Sequence, residues 1–253
     1  MKRIFVKNAN AKNFEAYIAK MNRRGPQEAG LMLVTGQPGH GKTCTLHNYA
    51  GRVQAVMLTA GVDSTPRRLM VELAEKLGIE VGGNYQRRVE EYIVRNGTTI
   101  ILDEAGFALA NKAACVEKLR EITDKTLTLL VMVVMKHDMS RLSQPGLKQL
   151  ADRINEICEF EPATLADVQL ACAQLGEVPM APELVAHIHK QSDGSMRQVL
   201  TAICRVEESA QLRPEAQRLA AMTLADIKGV TLCKNLSQAV RKMNSNNRGG
   251  AAA

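Results

Sequence analysis

The sequence predicts an α/β fold, a parallel sheet flanked by helices, followed by a small all-helical domain. Three observations carry that prediction. Short apolar runs rich in Val, Ile, Leu and Thr alternate with helix-patterned stretches through the first two thirds of the chain. A glycine-rich segment joins the first of those runs to the first patterned helix after it. Beyond Pro162 the strand pattern stops and helix-like segments follow one another.

The runs "LMLVTG" (31–36), "VQAVMLTA" (53–60), "TTIILDE" (98–104) and "LTLLVMVVM" (127–135) are continuous rather than alternating, as strands covered on both faces should be. A fifth short strand is expected at "NEICEFEP" (155–162). Between them, the stretch from Thr65 repeats Leu69, Leu73 and Leu77 and stops at Gly78, the pattern of a helix capped by Ser64 or Thr65 and ended by glycine. After Pro162, "TLADVQLACAQLG", "APELVAHIHKQS", "GSMRQVLTAICRVEESAQL" and "RPEAQRLAAM" read as successive helices with Gly, Pro, Ser or Asp at their junctions. The expected division is a basic N-terminal arm or helix over 1–25, the α/β domain over 26–162, the helical domain over 163–232 and a basic tail over 233–253. The tail ends in "NSNNRGGAAA", a composition that cannot build a core, and no internal repeat is visible.

With 253 residues the chain can bury one large core and a smaller one, and it reads as a whole chain rather than a fragment. Aromatic residues make up only 3% and Trp is missing, so the core must be aliphatic and Met-rich. No run approaches the roughly 18 uncharged apolar residues of a membrane helix, and the N-terminus lacks a sustained apolar signal core. A cytoplasmic protein is expected. The six cysteines include no C-x-x-C pair, which argues for reduced, mostly buried thiols. His187 and His189 are two apart in a helical pattern and point to different faces, so no metal is expected there.

The net charge of +7 belongs to the chain ends. Residues 1–25 carry seven basic residues against Glu15, residues 227–253 carry five and no acid, and the body between them is slightly acidic. Basic arms on such a body suit contacts to a phosphate backbone, and equally suit solvated tails; charge alone leaves both open.

The chemistry starts at "GQPGHGKT", where Gly36, Gly41, Lys42 and Thr43 satisfy G-x-x-x-x-G-K-[ST] between an expected strand and an expected helix. Glycines let backbone N–H groups converge on phosphate oxygens, the helix N-terminus adds its positive end, and Lys42 reaches the β and γ phosphates of a nucleoside triphosphate. The cradle is expected to run through Gly36, Gln37, Pro38, Gly39, His40, Gly41, Lys42, Thr43 and Cys44, with the Thr43 hydroxyl on magnesium. A second magnesium-side carboxylate is supplied by "TTIILDEA": Asp103 to hold the ion through water, and Glu104 to orient and deprotonate an attacking water. Two arginines extend the site. Arg197, in "SDGSMRQVL", is placed to reach the γ phosphate from the helical domain, and Arg153, in "LKQLADRINEICEF", to be offered to a neighbour's nucleotide, with Arg141 competing for that second role.

The loop, the acid pair, an arginine before "EFEPATLADV", a helical lid and "GSMR" together resemble an AAA+ ATPase over roughly residues 26–230. Within that class "VMLTAGVDSTPRRLMVELAEKLGI" followed by "TTIILDEAGFAL" resembles the transposition ATPases of the MuB, TniB and TnsC kind. The resemblance implies ATP and magnesium as ligands, homo-oligomers that coat duplex DNA as filaments or rings, and a transposase or another recombination or replication protein as partner. It also implies that the DNA-facing segments are "STPRR" and "NYQRR", which here contain Thr65, Arg67, Arg68, Tyr85, Arg87 and Arg88. Paired arginines are also common on solvated helix faces. The lack of stacking aromatics favours duplex backbone over single strands, with weak sequence preference. Two features depart from the pattern. Little chain precedes the loop, so DNA contact is expected to fall to the ATPase body and the basic ends. After the fourth strand, where a small polar sensor residue is usual, the chain has "MKHDMS", which leaves Lys136, His137 and Asp138 as candidates. A helicase loader of the IstB or DnaC type, and a nucleotide-gated protein switch that needs no DNA, are the alternative readings.

Overall fold

A computed structural model describes residues 1–23, 30–218 and 220–233. It divides into two compact units, Asn10–Glu161 and Met1–Ala9 together with the described residues from Pro162 onward.

The first unit contains α1 (Ala9–Asn22, from its second residue on), β1 (Gly30–Gly36), α2 (Lys42–Arg52), β2 (Ala55–Thr59), α3 (Pro66–Lys76), α4 (Tyr85–Asn96), β3 (Thr99–Asp103), α5 (Ala110–Thr126) and β4 (Leu129–Val133). Short helical turns α6 (Met139–Leu142) and α7 (Lys148–Ala151) and strand β5 (Glu156–Phe160) complete it. The strands form one five-stranded sheet in the order β2-β3-β4-β1-β5, every neighbouring pair parallel. β1, β3 and β4 are buried at every position, which is why their sequences are unbroken apolar runs.

Successive side chains of a strand point to opposite faces, and the two cores follow that alternation. Leu31 and Leu33 of β1, Leu58 of β2, Ile100 and Leu102 of β3 and Leu130 and Met132 of β4 join one core with α3, α4 and α5. Met32 and Val34, Met57, Ile101, and Val131 and Val133 join the other, which α1 and α2 close with Phe14, Ile18, Met21, Leu46 and Tyr49. The aromatic residues are few but concentrated here: Phe14 meets Tyr49 edge-on at 5.3 Å and Phe160 at 6.5 Å.

α3 begins as its sequence requires. Thr65 caps it, its hydroxyl accepting the Arg68 amide at 3.2 Å, and Pro66 takes the first helical position, where no donor is lost. Gly78, at φ +70°, follows the last turn.

The second unit packs α8 (Leu165–Leu175), α9 (Pro182–Ser192) and α10 (Met196–Gln211) around an aliphatic core that includes Val168, Leu184, Ile188, Val199 and Ile203. A capping box of Thr164 and Asp167 starts α8, and Ser195 caps α10. The fourth expected helix, "RPEAQRLAAM", is absent among the described residues. Only a short turn, Glu215–Gln217, forms there. Met222 instead exchanges backbone hydrogen bonds with Pro179 and Ala181, donating its amide at 2.8 Å and accepting at 2.8 Å, which commits that residue's backbone to partners outside the expected helix. Arg213 reaches the Gln217 and Ala220 carbonyls and forms an ion pair with Asp226.

The segment expected as a basic N-terminal arm or helix is shared between the units. Residues 1–9 belong with the helical unit, where Lys2 donates its amide to Leu175 and Val6 packs on the core, and the rest of α1 buries Phe14 against the sheet. The expected tail beyond residue 233 lies outside the described residues. Among the described residues no helix is long and apolar enough to cross a membrane. All six cysteines are free thiols, with Cys44 exposed and Cys204 half-buried. Burial pushes the Cys158 thiol up to about 12 and the Cys172 thiol up to about 11, so neither is a ready nucleophile.

Candidate active site

In a parallel sheet every strand ends at the same edge, and the sequence-marked residues at the ends of β1 and β3 meet there. β1 ends at Gly36, whose φ of +146° only glycine adopts freely and whose missing side chain leaves room for β5: a Cβ there would lie 2.6 Å from the Phe160 carbonyl oxygen. Gly39 and Gly41 also have left-handed φ values, +87° and +91°. Gly41 is the N-cap of α2 and has no side chain to cap it; the first helical hydrogen bond is donated by Thr45 to Gly41 at 3.0 Å. The first-turn amides of α2 point out of the helix start, and such a start is a receptor for anionic oxygens.

Lys42 is 6% exposed, and a buried ammonium must be satisfied. Its Nζ donates to the carbonyls of Gly36 at 2.6 Å and Gln37 at 3.0 Å and lies 3.6 Å from the Met135 sulfur, inside the loop's own curve. Gln37 and Pro38, by contrast, are exposed at the loop tip. His40 is buried and turns its ring away from the loop. Its Nδ1 lies 2.8 Å from the Phe160 carbonyl oxygen, which places the proton on Nδ1 and braces the loop against the end of β5. Asn10 extends the brace, donating to the His40 carbonyl at 3.4 Å and to the Glu161 carbonyl at 2.8 Å while accepting the Glu161 amide at 3.0 Å.

The Thr43 hydroxyl donates to Asp103 Oδ2 at 2.8 Å, so the two residues expected on magnesium are in direct contact. Asp103 is 5% exposed, and its other oxygen accepts the Glu104 amide at 2.9 Å. Magnesium prefers oxygen ligands and is usually held by one or two carboxylates together with substrate phosphates, and a hydroxyl beside one buried carboxylate has that composition. Glu104 is half-buried with φ +53°, a left-handed value that a non-glycine residue adopts at a cost of about 1–3 kcal/mol.

The other expected residues are exposed or have partners within their own unit. Arg153, exposed, precedes β5 at the opposite edge of the sheet and lies 3.6 Å from Asp124. Arg141 is tied within its own unit, to the Gly106 carbonyl at 2.8 Å and to Asp138 at 3.3 Å. Arg197 is an exposed residue in the first turn of α10, in the helical unit. Arg67 and Arg68 are exposed in the first turn of α3 beside Thr65. Arg87 pairs with Glu91 at 2.9 Å, and Arg88 donates to the Glu80 and Gly82 carbonyls at 2.7 and 3.1 Å, closing the turn before α4. Tyr85 packs partly buried against the core. Of the segment after β4, the residue that reaches Lys42 is Met135, while Lys136 pairs with Glu159 at 2.5 Å. Sequence reasoning missed Asn10, Met135 and the bracing ring of His40. Asn10 and His40 meet partners 151 and 120 residues away, and Met135 meets Lys42 across 93.

Residues 23–142 match the AAA domain family. No curated protein matches the chain. Among solved structures it is similar to the Aeropyrum pernix ORC2 protein in its ADPNP–ADP complexes, with 14% identity and a TM-score of 0.65 over 89% of this chain and 67% of that one. It is also similar to the Aeropyrum pernix ORC1 protein in complex with DNA, with 20% identity and a TM-score of 0.58 over 85% of this chain and 63% of that one. A third likeness is to Drosophila ORC bound to DNA, with 19% identity and a TM-score of 0.60 over 87% of this chain and 59% of that one. Such identities speak for the fold, and the sheet order and loop geometry agree with them: residues 23–142 match an AAA domain, and the chain has the fold of an AAA+ P-loop ATPase.

Proposed function

We propose that this chain binds and hydrolyses ATP with magnesium, assembles on duplex DNA in its ATP form, and regulates DNA transposition by marking target sites and activating a transposase. The observation that carries the reading is the meeting of Lys42, Thr43, Asp103 and Glu104 at one sheet edge, with the Thr43–Asp103 contact at 2.8 Å. Lys42 and the first-turn amides of α2 hold the phosphates, and Thr43 and Asp103 hold the magnesium ion, which neutralises charge on the phosphate oxygens. Glu104 takes a proton from a water whose oxygen attacks the γ phosphorus as the bond to the β-bridging oxygen breaks, leaving ADP and phosphate. Arg153 serves the nucleotide of a neighbouring subunit and Arg197 the nucleotide of its own chain.

Duplex DNA is the partner best supported. Arg67 and Arg68 are exposed side by side at a helix start with Thr65, and two of the structures of similar fold are complexes with DNA. Arg87, Arg88 and Tyr85 join that surface. Arg88 must then exchange its two carbonyl partners for phosphate, which makes it the weaker contact. The transposition assignment rests on the sequence resemblance.

The test is to measure ATP affinity, ATP turnover and sedimentation with and without duplex DNA across a protein concentration series, for wild type and Lys42→Ala. ATP-dependent assembly and DNA-stimulated turnover, both lost in Lys42→Ala, are expected. A monomer whose turnover ignores DNA and concentration would replace this reading with the protein-switch alternative. Capture of a replicative helicase rather than a transposase would favour the loader.

A further inference from the structure

Gly106 lies two residues beyond Glu104, and its backbone is ordinary right-handed helical, φ −52° and ψ −37°. Its conformation does not need glycine, but its surroundings do: a Cβ at Gly106 would run into the carboxylate of Asp138, which is itself 7% exposed. Over that close approach lies Arg141. Its Nη1 donates to the Gly106 carbonyl at 2.8 Å and to Asp138 Oδ1 at 3.3 Å, joining the turn after β3 to the turn after β4. The same turn is tied at two other points, by the Ala105 amide on the Val133 carbonyl at 2.8 Å and by the Phe107 amide on the Glu104 carbonyl at 3.0 Å. A strained residue such as Glu104, at φ +53°, keeps its conformation only where its surroundings over-determine it. These ties do so.

We infer that Arg141, seated on Asp138, is a positioning residue for Glu104 of its own chain and not a group offered to a neighbour's nucleotide. The inference rests on the reading of Glu104 as the base that activates water. Arg141 acts through the backbone of residues 104–106: its Nη1 carries two N–H groups and so serves a carbonyl and a carboxylate at once. Loss of that group frees the turn and lets the Glu104 carboxylate spread away from the attacking water. A displacement of about 1 Å in a reacting group costs up to about a hundredfold in rate, so turnover should fall by roughly ten- to a hundredfold. ATP affinity should hold, because the Lys42 ammonium is seated on Gly36, Gln37 and Met135 and the Thr43 hydroxyl on Asp103, whereas Arg141 is fastened to Gly106 and Asp138.

The experiment measures ATP affinity and single-turnover hydrolysis for wild type, Arg141→Ala, Arg141→Lys and Gly106→Ala, and turnover when Arg141→Ala is mixed with Lys42→Ala. Expected are a fall in the hydrolysis constant with unchanged affinity in Arg141→Ala, partial recovery in Arg141→Lys, and a similar fall in Gly106→Ala, which crowds Asp138 from the other side. Mixing should restore nothing, since a group that acts within its own chain is not supplied by a neighbour. Recovery on mixing would make Arg141 a group acting between subunits and overturn the inference. Wild-type turnover in Arg141→Ala, or loss of ATP affinity together with turnover, would also overturn it. If the wild-type protein binds ATP but hydrolyses none, the ATPase reading falls first and this one with it.

Discussion

Replacing Gly36 with Ala perturbs fold and site at one atom. Gly36 sits at φ +146°, where an L side chain costs about 1–3 kcal/mol. The added Cβ would lie 2.6 Å from the Phe160 carbonyl oxygen and 2.9 Å from the Phe160 Cβ. Neither neighbour can swing aside, because one is backbone of β5 and the other is fixed to it, so β5 or the loop must move. The Phe160 oxygen also takes the His40 ring bond at 2.8 Å, which puts about 1 kcal/mol more at risk. Together the loss is about 2–4 kcal/mol, and for a chain of this size that lowers the unfolding midpoint by roughly 5–15 °C. Because the displaced segment is the phosphate cradle, ATP affinity should fall as well, and the two effects are separable by calorimetry of the free protein and by nucleotide titration well below its midpoint. A midpoint within about 1 °C of wild type would show that the close approach of Gly36 to Phe160 is not real, and would remove the argument that glycine is needed there for space.

Three other outcomes follow from the same geometry. Glu104→Gln keeps the shape and removes the base, so hydrolysis should fall by about 10²- to 10⁴-fold while ATP binding and assembly on DNA persist or lengthen; turnover at the wild-type rate would make the acid structural. Arg153→Ala should lower assembled turnover by up to about 10³–10⁵ without weakening ATP binding to the isolated chain, and mixing with Lys42→Ala should restore part of it. In the helical unit Arg213, the Thr223 hydroxyl and the Thr223 amide hold the Asp226 carboxyl down to about 2, below its ordinary value near 3.8. A depressed carboxylate stabilises above its unfolded pKa, so that contribution should be complete above about pH 4 and be lost as pH falls towards 2. Asp226→Asn should flatten that part of the acid-unfolding curve.

The sequence by itself determined whatever depends on near neighbours in the chain. The five strands were legible because burial on both faces forces unbroken aliphatic runs, as in β1, β3 and β4. The phosphate loop was legible because left-handed turns need glycine within a fixed spacing, and Gly36, Gly39 and Gly41 all have positive φ. The change of texture near Pro162 was visible as a loss of the strand pattern. Tertiary structure alone decided which distant groups meet. "RPEAQRLAAM" has helix-forming composition, yet among its described residues only the turn Glu215–Gln217 forms, and the Met222 backbone is committed to Pro179 and Ala181. His40 sits inside the motif and looks like a nucleotide contact, but its ring is committed to Phe160, 120 residues away. Arg141 was indistinguishable in sequence from Arg153 as a group to offer a neighbour, and only the folded chain shows it fastened to Gly106 and Asp138. Local spacing is written in one dimension, whereas a hydrogen bond between residues 35 or 120 apart exists only once the sheet has brought their strands to a common edge.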